Sequence, residues 1–155
     1  MYGTLRQHAG RQRRPYMAEN KRPRGRIGIS EVTGPSMAPT LDDGDRMVVR
    51  YGALVRPGDV VVFRHPLQQD LLVVKRAAER RPGGWWMLGD NPFNETGDST
   101  DYGAVPEELV LAVARLRLRP CPDGQRSLRA WLSWAVSAVR PMRADSSASS
   151  RLRAR

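Results

Sequence analysis

The chain has 155 residues, 40% of them hydrophobic, with a formal net charge of +10 and a pI near 11.1. That length holds one modest domain plus tails, since domains typically run to roughly 100–150 residues. Its single cysteine, Cys121, excludes an internal disulfide, offers no cysteine metal cluster and fits a reducing compartment. So basic a chain ordinarily points to nucleic acid or a membrane surface, but the distribution of charge redirects that reading. Residues 1–26 carry a net +7, residues 115–155 a net +8, and the middle, 27–114, a net −5. The basic character belongs to the ends, and no nucleic-acid partner is expected.

In chain order, residues 1–26 form an Arg-rich segment that reads as a disordered basic arm, with Met17 as an alternative start. It has no apolar core and is therefore not a secretory signal. From Ile27 onward, short β-branched runs alternate with turn chemistry. Strands are predicted over 26–32, 46–50, 59–64, 71–78, 85–88 and 109–118. Between them lie the breakers Asp43-Gly44, Pro57-Gly58, His65-Pro66, Pro82-Gly83-Gly84 and Gly89-Asp90-Asn91-Pro92. Short strands at this spacing, without helical periods between them, predict a mainly β domain over 27–120, a barrel or coiled sheet.

In the tail, Leu128, Trp131, Leu132, Ala135, Val136 and Val139 fall on one face of a helix. This predicts an amphipathic helix over 125–141, ended by Pro141, and then a disordered tail over 142–155. The helix can pack on the barrel, lie on a membrane or bind a partner. The longest uncharged apolar stretch, residues 130–139, is half of the roughly 20 residues a membrane span needs. The expected location is the cytoplasm, with peripheral contact at the inner face of the membrane as its extension.

The lysine census is the first chemical clue. Of 26 basic residues only Lys21 and Lys75 are lysines, and only Lys75 lies in the domain. A guanidinium cannot accept a proton near neutral pH, whereas an amine can once its pKa is lowered. An ordinary lysine is neutral in about one molecule per thousand at pH 7. Burial can lower its pKa by up to 3–5 units. Within Leu71-Leu72-Val73-Val74-Lys75 the lysine shares a strand face with Val73 and Leu71. The alternative is a snorkelling strand-end lysine.

The second clue is Ser36, in the stiff run Thr33-Gly34-Pro35-Ser36-Met37-Ala38-Pro39-Thr40-Leu41. A rigid mount suits a nucleophile, and a serine hydroxyl needs an adjacent base. Taken alone, the turn could equally be a polar loop.

Gly34-Pro35-Ser36-Met37-Ala38-Pro39-Thr40-Leu41 resembles the serine motif of type I signal peptidases, the S26 family. Lys75, 39 residues later in an apolar strand, falls where that family has its general base. Gly89-Asp90-Asn91-Pro92, Thr96-Gly97-Asp98-Ser99 and Gly103-Ala104-Val105-Pro106 resemble its carboxyl-side block. Asp43-Gly44-Asp45 and Pro57-Gly58-Asp59-Val60-Val61 match connecting segments, so the likeness spans about residues 27–118.

The resemblance implies a signal-peptidase/LexA-like coiled β-barrel and a serine endopeptidase with a Ser/Lys dyad, without cofactor or metal. Ser36 would be the nucleophile and Lys75 the base. Thr96 would orient the lysine, Asp98 would support the site, and the Ser36 backbone N–H would supply one oxyanion donor. The chain departs from the family at Gly34, where some relatives carry a second oxyanion donor, and at Pro92 and Thr100, where arginine is common. An Arg-rich arm also replaces the usual membrane anchor before the serine. That resembles the anchorless branch that matures nickel-type superoxide dismutase by removing an amino-terminal propeptide. The expected partner is thus a precursor with such a propeptide, and the alternative is a signal peptidase cleaving secretory signal peptides.

Three other readings are weaker. A serine–histidine–acid triad would have to use His65, the one histidine of the domain. A self-cleaving repressor would need a DNA-binding domain that 26 low-complexity residues cannot hold. A pure binding module would leave Ser36, Lys75 and Thr96 without purpose.

Overall fold

The computed structural model describes residues 4–6, 25–93, 97–120, 136, 138–145 and 147. Its strands are β1 (Thr4–Arg6), β2 (Ile27–Thr33), β3 (Arg46–Tyr51), β4 (Val60–His65), β5 (Gln68–Arg81), β6 (Gly84–Leu88), β7 (Val110–Leu118) and β8 (Val139–Pro141). The helical pieces are α1 (Ser99–Tyr102) and a 3-10 turn at Glu107–Leu109. The fold is mainly β, as the alternation of β-branched runs and turns predicts, and all six expected strands form.

The sheet is antiparallel in the order β1-β2-β3-β7-β4-β5-β6. Because β1 also pairs with β5, strands β1, β2, β3, β7, β4 and β5 close into a ring. Strand β5 is longer than the sequence pattern indicates because it serves two partners. It pairs with β4 up to Arg76 and with β6 from Arg76 onward, with a register shift between Ala77 and Glu79. Gly84, at the start of β6, has φ 142°, and a Cβ there would sit 2.0 Å from the Val105 carbonyl oxygen. The close bridge between Trp85 and Val105 that packs the α1 region onto β6 therefore requires glycine at this position.

Strand β4 is buried on both faces, so its alternate residues feed two cores. Val60 and Val62 join Val32, Met37, Leu41, Met47, Val49, Val74, Ala112 and Ala114 in one. Val61 and Phe63 join Val73, Ala77, Trp85, Met87, Val105, Val110 and Val113 in the other. Lys75 has the parity of Val73 and Ala77 and points to the second.

The tails differ from expectation where they are described. Thr4–Arg6, within the predicted disordered arm, is strand β1, held because the β2–β5 gap offers it hydrogen-bonding edges on both sides. Of the predicted 125–141 helix, 125–135 and 137 lie outside the described residues, while Val136 and Ala138 have helical backbone. Val139, read as the last position of the apolar stripe, is strand instead. It pairs with Leu118, on a stretch of β7 that runs past its pairing with β4. In the predicted disordered tail, Met142 packs against the first core and donates its N–H to the Arg115 carbonyl at 2.7 Å, and Asp145 donates to Gly58 at 3.2 Å.

Candidate functional site

Ser36 sits in the turn after β2, and three neighbours hold that turn in place. Gly34, at φ 91°, donates its N–H to Asp43 Oδ1 at 2.7 Å. Met37 and Leu41, both buried, anchor the far side in the first core. Lys75 sits in the middle of β5, opposite Val61 of β4. Both Ser36 and Lys75 are 0% exposed. Neither Ser36 Oγ nor Lys75 Nζ has a hydrogen-bond partner among the described residues.

Gly89 shows how close they come. A Cβ on Gly89 would lie 2.8 Å from the Ser36 carbonyl oxygen and 3.3 Å from Lys75 Nζ. The Ser36 turn and the lysine amine thus meet over the bare backbone of one glycine. Gly89→Ala forces a carbon against a backbone oxygen that the turn cannot easily withdraw. It should cost about 1–3 kcal/mol, the usual range for overpacking, and separate serine from lysine. A urea titration read alongside peptide cleavage checks both effects.

A buried amine without partners cannot easily hold a charge. Burial pushes the Lys75 pKa below its ordinary value, while the carboxylates of Asp98, Asp101 and Asp90 oppose that shift without reversing it. Asp98, expected to support the site, is the largest of these opposing charges. It also caps α1, accepting from Thr100 N at 2.9 Å and Thr100 Oγ1 at 2.7 Å. The capping role and the electrostatic one coexist in one buried carboxylate. Thr96, the other expected supporting residue, lies outside the described residues.

The loop after β6 does work that the sequence reading did not assign. Asn91 donates its backbone N–H to the Ser36 carbonyl at 3.2 Å and its side-chain amide to the Pro35 carbonyl at 2.9 Å. Asp90 takes a bidentate pair from Arg76, 2.8 Å from Nε and 2.5 Å from Nη2. It also accepts from Thr40 Oγ1 at 2.5 Å, and Arg76 Nη1 reaches the Gly58 carbonyl at 2.6 Å. Burial alone pushes the Arg76 pKa down, but the hydrogen bonds and charge of Asp90 outweigh it, and the guanidinium ends above its ordinary value. Adjacent residues of β5 thus point to opposite faces, Lys75 to the serine and Arg76 to the loop that clamps the serine turn. Ser99, also buried, accepts the Met87 N–H at 2.7 Å and ties α1 to β6. The run Gly89-Asp90-Asn91 is a sequence signal for this loop, but nothing in the sequence distinguishes Arg76 from the other arginines.

His65 is not part of this assembly. Its Nδ1 accepts from Leu67 N at 3.2 Å and its ring stands edge-on to Tyr102, 4.7 Å between centroids. Since Ser36 Oγ has no hydrogen-bond partner among the described residues, the triad is not formed. Among those residues, too, no helix is long and apolar enough to cross a membrane.

Sequence comparison agrees with this architecture at the level of the family. None of the curated proteins matches the chain. The family model that does match, described as Peptidase S24-like, covers residues 3–101. It takes in strand β1 as well as Ser36, Lys75, Gly89 and Asp98. The likeness noted from the motifs was to signal peptidases, and the family shown is this one. With nearly two thirds of its residues inside that match and a mainly β fold of serine-peptidase type, the chain belongs to the peptidase S24-like family.

Proposed function

We propose that the chain is a serine endopeptidase with Ser36 as nucleophile and Lys75 as general base. The observation that carries this is that the Ser36 turn and Lys75 Nζ meet over Gly89, with Ser36 Oγ and Lys75 Nζ both buried and without a hydrogen-bond partner among the described residues. A fold rarely leaves buried polar atoms unsatisfied. Burial lowers the Lys75 pKa and so favours the neutral amine, the form of lysine able to take a proton at neutral pH.

In the proposed reaction Ser36 Oγ attacks the scissile carbonyl carbon while Lys75 Nζ takes its proton. The carbon–nitrogen bond breaks as Lys75 returns that proton to the leaving amine. Lys75 then deprotonates water, which attacks the acyl ester and frees Ser36. The Ser36 N–H serves as one oxyanion donor. Thr96 and Asp98 hold the lysine, the first by its hydroxyl and the second by its charge.

The proposed substrate is a precursor with an amino-terminal propeptide, nickel-type superoxide dismutase being the precursor to test first. Motif resemblance alone supports that choice, and the proposed setting is the cytoplasm. The test offers purified protein a superoxide dismutase propeptide and, separately, a secretory signal peptide in detergent. Cleavage of the first, lost in Ser36→Ala and Lys75→Ala and kept in His65→Ala, is the expected result. Its rate should climb with pH along a limb set by the lowered Lys75 pKa. Retained cleavage in Ser36→Ala sinks the dyad. Preference for the signal peptide replaces the substrate and keeps the chemistry.

A further inference from the structure

We infer that β1 is an intramolecular occupant of the groove in which an extended peptide would bind, and that it holds the peptidase in a self-inhibited state. The inference rests on the proposed hydrolytic reading of Ser36 and Lys75.

Without β1, the ring of strands has one gap. On one side lies β2, whose other edge is taken by β3. On the other lies the β5 segment around Val73, whose other edge is taken by β4. Neighbouring strands stand about 4.7–4.9 Å apart, so a gap filled by one strand is one peptide wide. Extended peptides bind by adding a strand to such edges, with main-chain hydrogen bonds supplying affinity. This gap offers edges on both sides.

Its position matters more than its shape. Thr4 pairs with Thr33, three residues before Ser36, and with Val73, two residues before Lys75. Leu5 and Arg6 pair with Val32 and Glu31, progressively further from the serine turn. The strand that delivers the nucleophile and the strand that delivers the base are thus the two walls of the gap, and β1 fills it. The complete burial of Ser36 and Lys75 is the independent sign of a closed site. In this arrangement an incoming peptide displaces the strand in order to pair with the two walls.

Polarity separates an inhibitor from a substrate. Strand β1 runs antiparallel to both walls, with its amino-terminal end nearest Ser36. A substrate whose acyl portion filled the groove would put its carboxyl-terminal end there. The occupant therefore lies in the reverse direction, and residues 4–6 do not offer their carbonyls in the order that acyl transfer to Ser36 needs.

The test compares the full chain with its Leu5→Pro variant, since proline removes a backbone donor from β1. The probe is a fluorophosphonate that labels a nucleophilic serine, with label at Ser36 followed over time by mass spectrometry. A triple variant, Thr4→Gly, Leu5→Gly and Arg6→Gly, removes strand propensity without proline and covers the case in which Leu5→Pro fails to fold. Labelling of Ser36 at least tenfold faster in a folded variant, slowed again by a synthetic peptide of residues 1–12, is the expected result. Equal or slower labelling overturns the inhibitory role alone. Ser36-dependent loss of the first residues when the full chain is incubated by itself makes β1 a substrate and also overturns it. Absence of label at Ser36 in every protein sinks the hydrolytic reading, and self-inhibition with it.

Discussion

Lys75→Met is expected to lower the cleavage rate roughly a thousandfold or more while raising the melting temperature at pH 7. The two effects share one cause. Methionine keeps most of the buried length of the side chain and has no proton to accept, so the base is lost while the packing survives. The native protein holds its lysine at 0% exposure, with no hydrogen-bond partner for Nζ among the described residues. Its folded pKa is therefore lowered, burial being the main cause. A lysine lowered in this way binds fewer protons in the folded than in the unfolded state between the two pKa values. Stability then rises with pH across that window. The penalty is absent above the ordinary lysine value, grows as pH falls from there, and is complete below the folded value. Lys75→Met should accordingly gain most at neutral and lower pH, on the order of 1 kcal/mol or more, and the gain should vanish as pH approaches 10.5. Melting curves from pH 6 to 10 check this. A variant no more stable than the parent at pH 7 means that burial does not disfavour the Lys75 ammonium and contradicts the geometry.

Asp90→Ala should cost about 3–5 kcal/mol, because it strands the Arg76 guanidinium in a buried site. The side chains of Arg76 and Asp90 are 5% and 7% exposed, so solvent screens the pair little. The carboxylate also holds the Thr40 hydroxyl, and its neighbour Asn91 holds the Ser36 carbonyl. Stability and cleavage rate should therefore fall together, the second because the loop no longer fixes the serine turn. The double replacement Arg76→Met with Asp90→Leu separates the two effects. Matched apolar groups can substitute for a buried ion pair at little cost, so stability should return most of the way while the rate stays low. If Asp90→Ala alone unfolds at the same urea concentration as the parent, the pair contributes nothing and the clamp is not real.

The six central strands and the Ser36 and Lys75 positions were legible because they depend on local pattern. Runs such as Val60-Val61-Val62-Phe63 and Leu71-Leu72-Val73-Val74 state their strand character directly, and Pro82-Gly83 states the turn between β5 and β6. The lysine stood out because arginine is used almost everywhere else. What escaped was pairing between distant segments. Nothing local in Thr4-Leu5-Arg6 marks a strand, since three residues in a basic arm form one only where two other strands have left a gap. Val139 likewise fitted a helical stripe and became a strand because β7 had an unpaired stretch of edge. Arg76 resembled every other arginine until the fold put Asp90 against it.

The sequence by itself determined the mainly β class, the placement of the central strands, and the presence of one stiff serine turn and one lysine in an apolar strand. These follow from side-chain periodicity, turn chemistry and composition, which act over a few residues. Only the tertiary structure decided that the turn and the lysine meet at Gly89, that Asp90 and Asn91 clamp the turn, and that β1 closes the ring beside them. Each of those is a contact between segments far apart in the chain. Its stability comes from burial and from backbone edges that exist only once the sheet has closed.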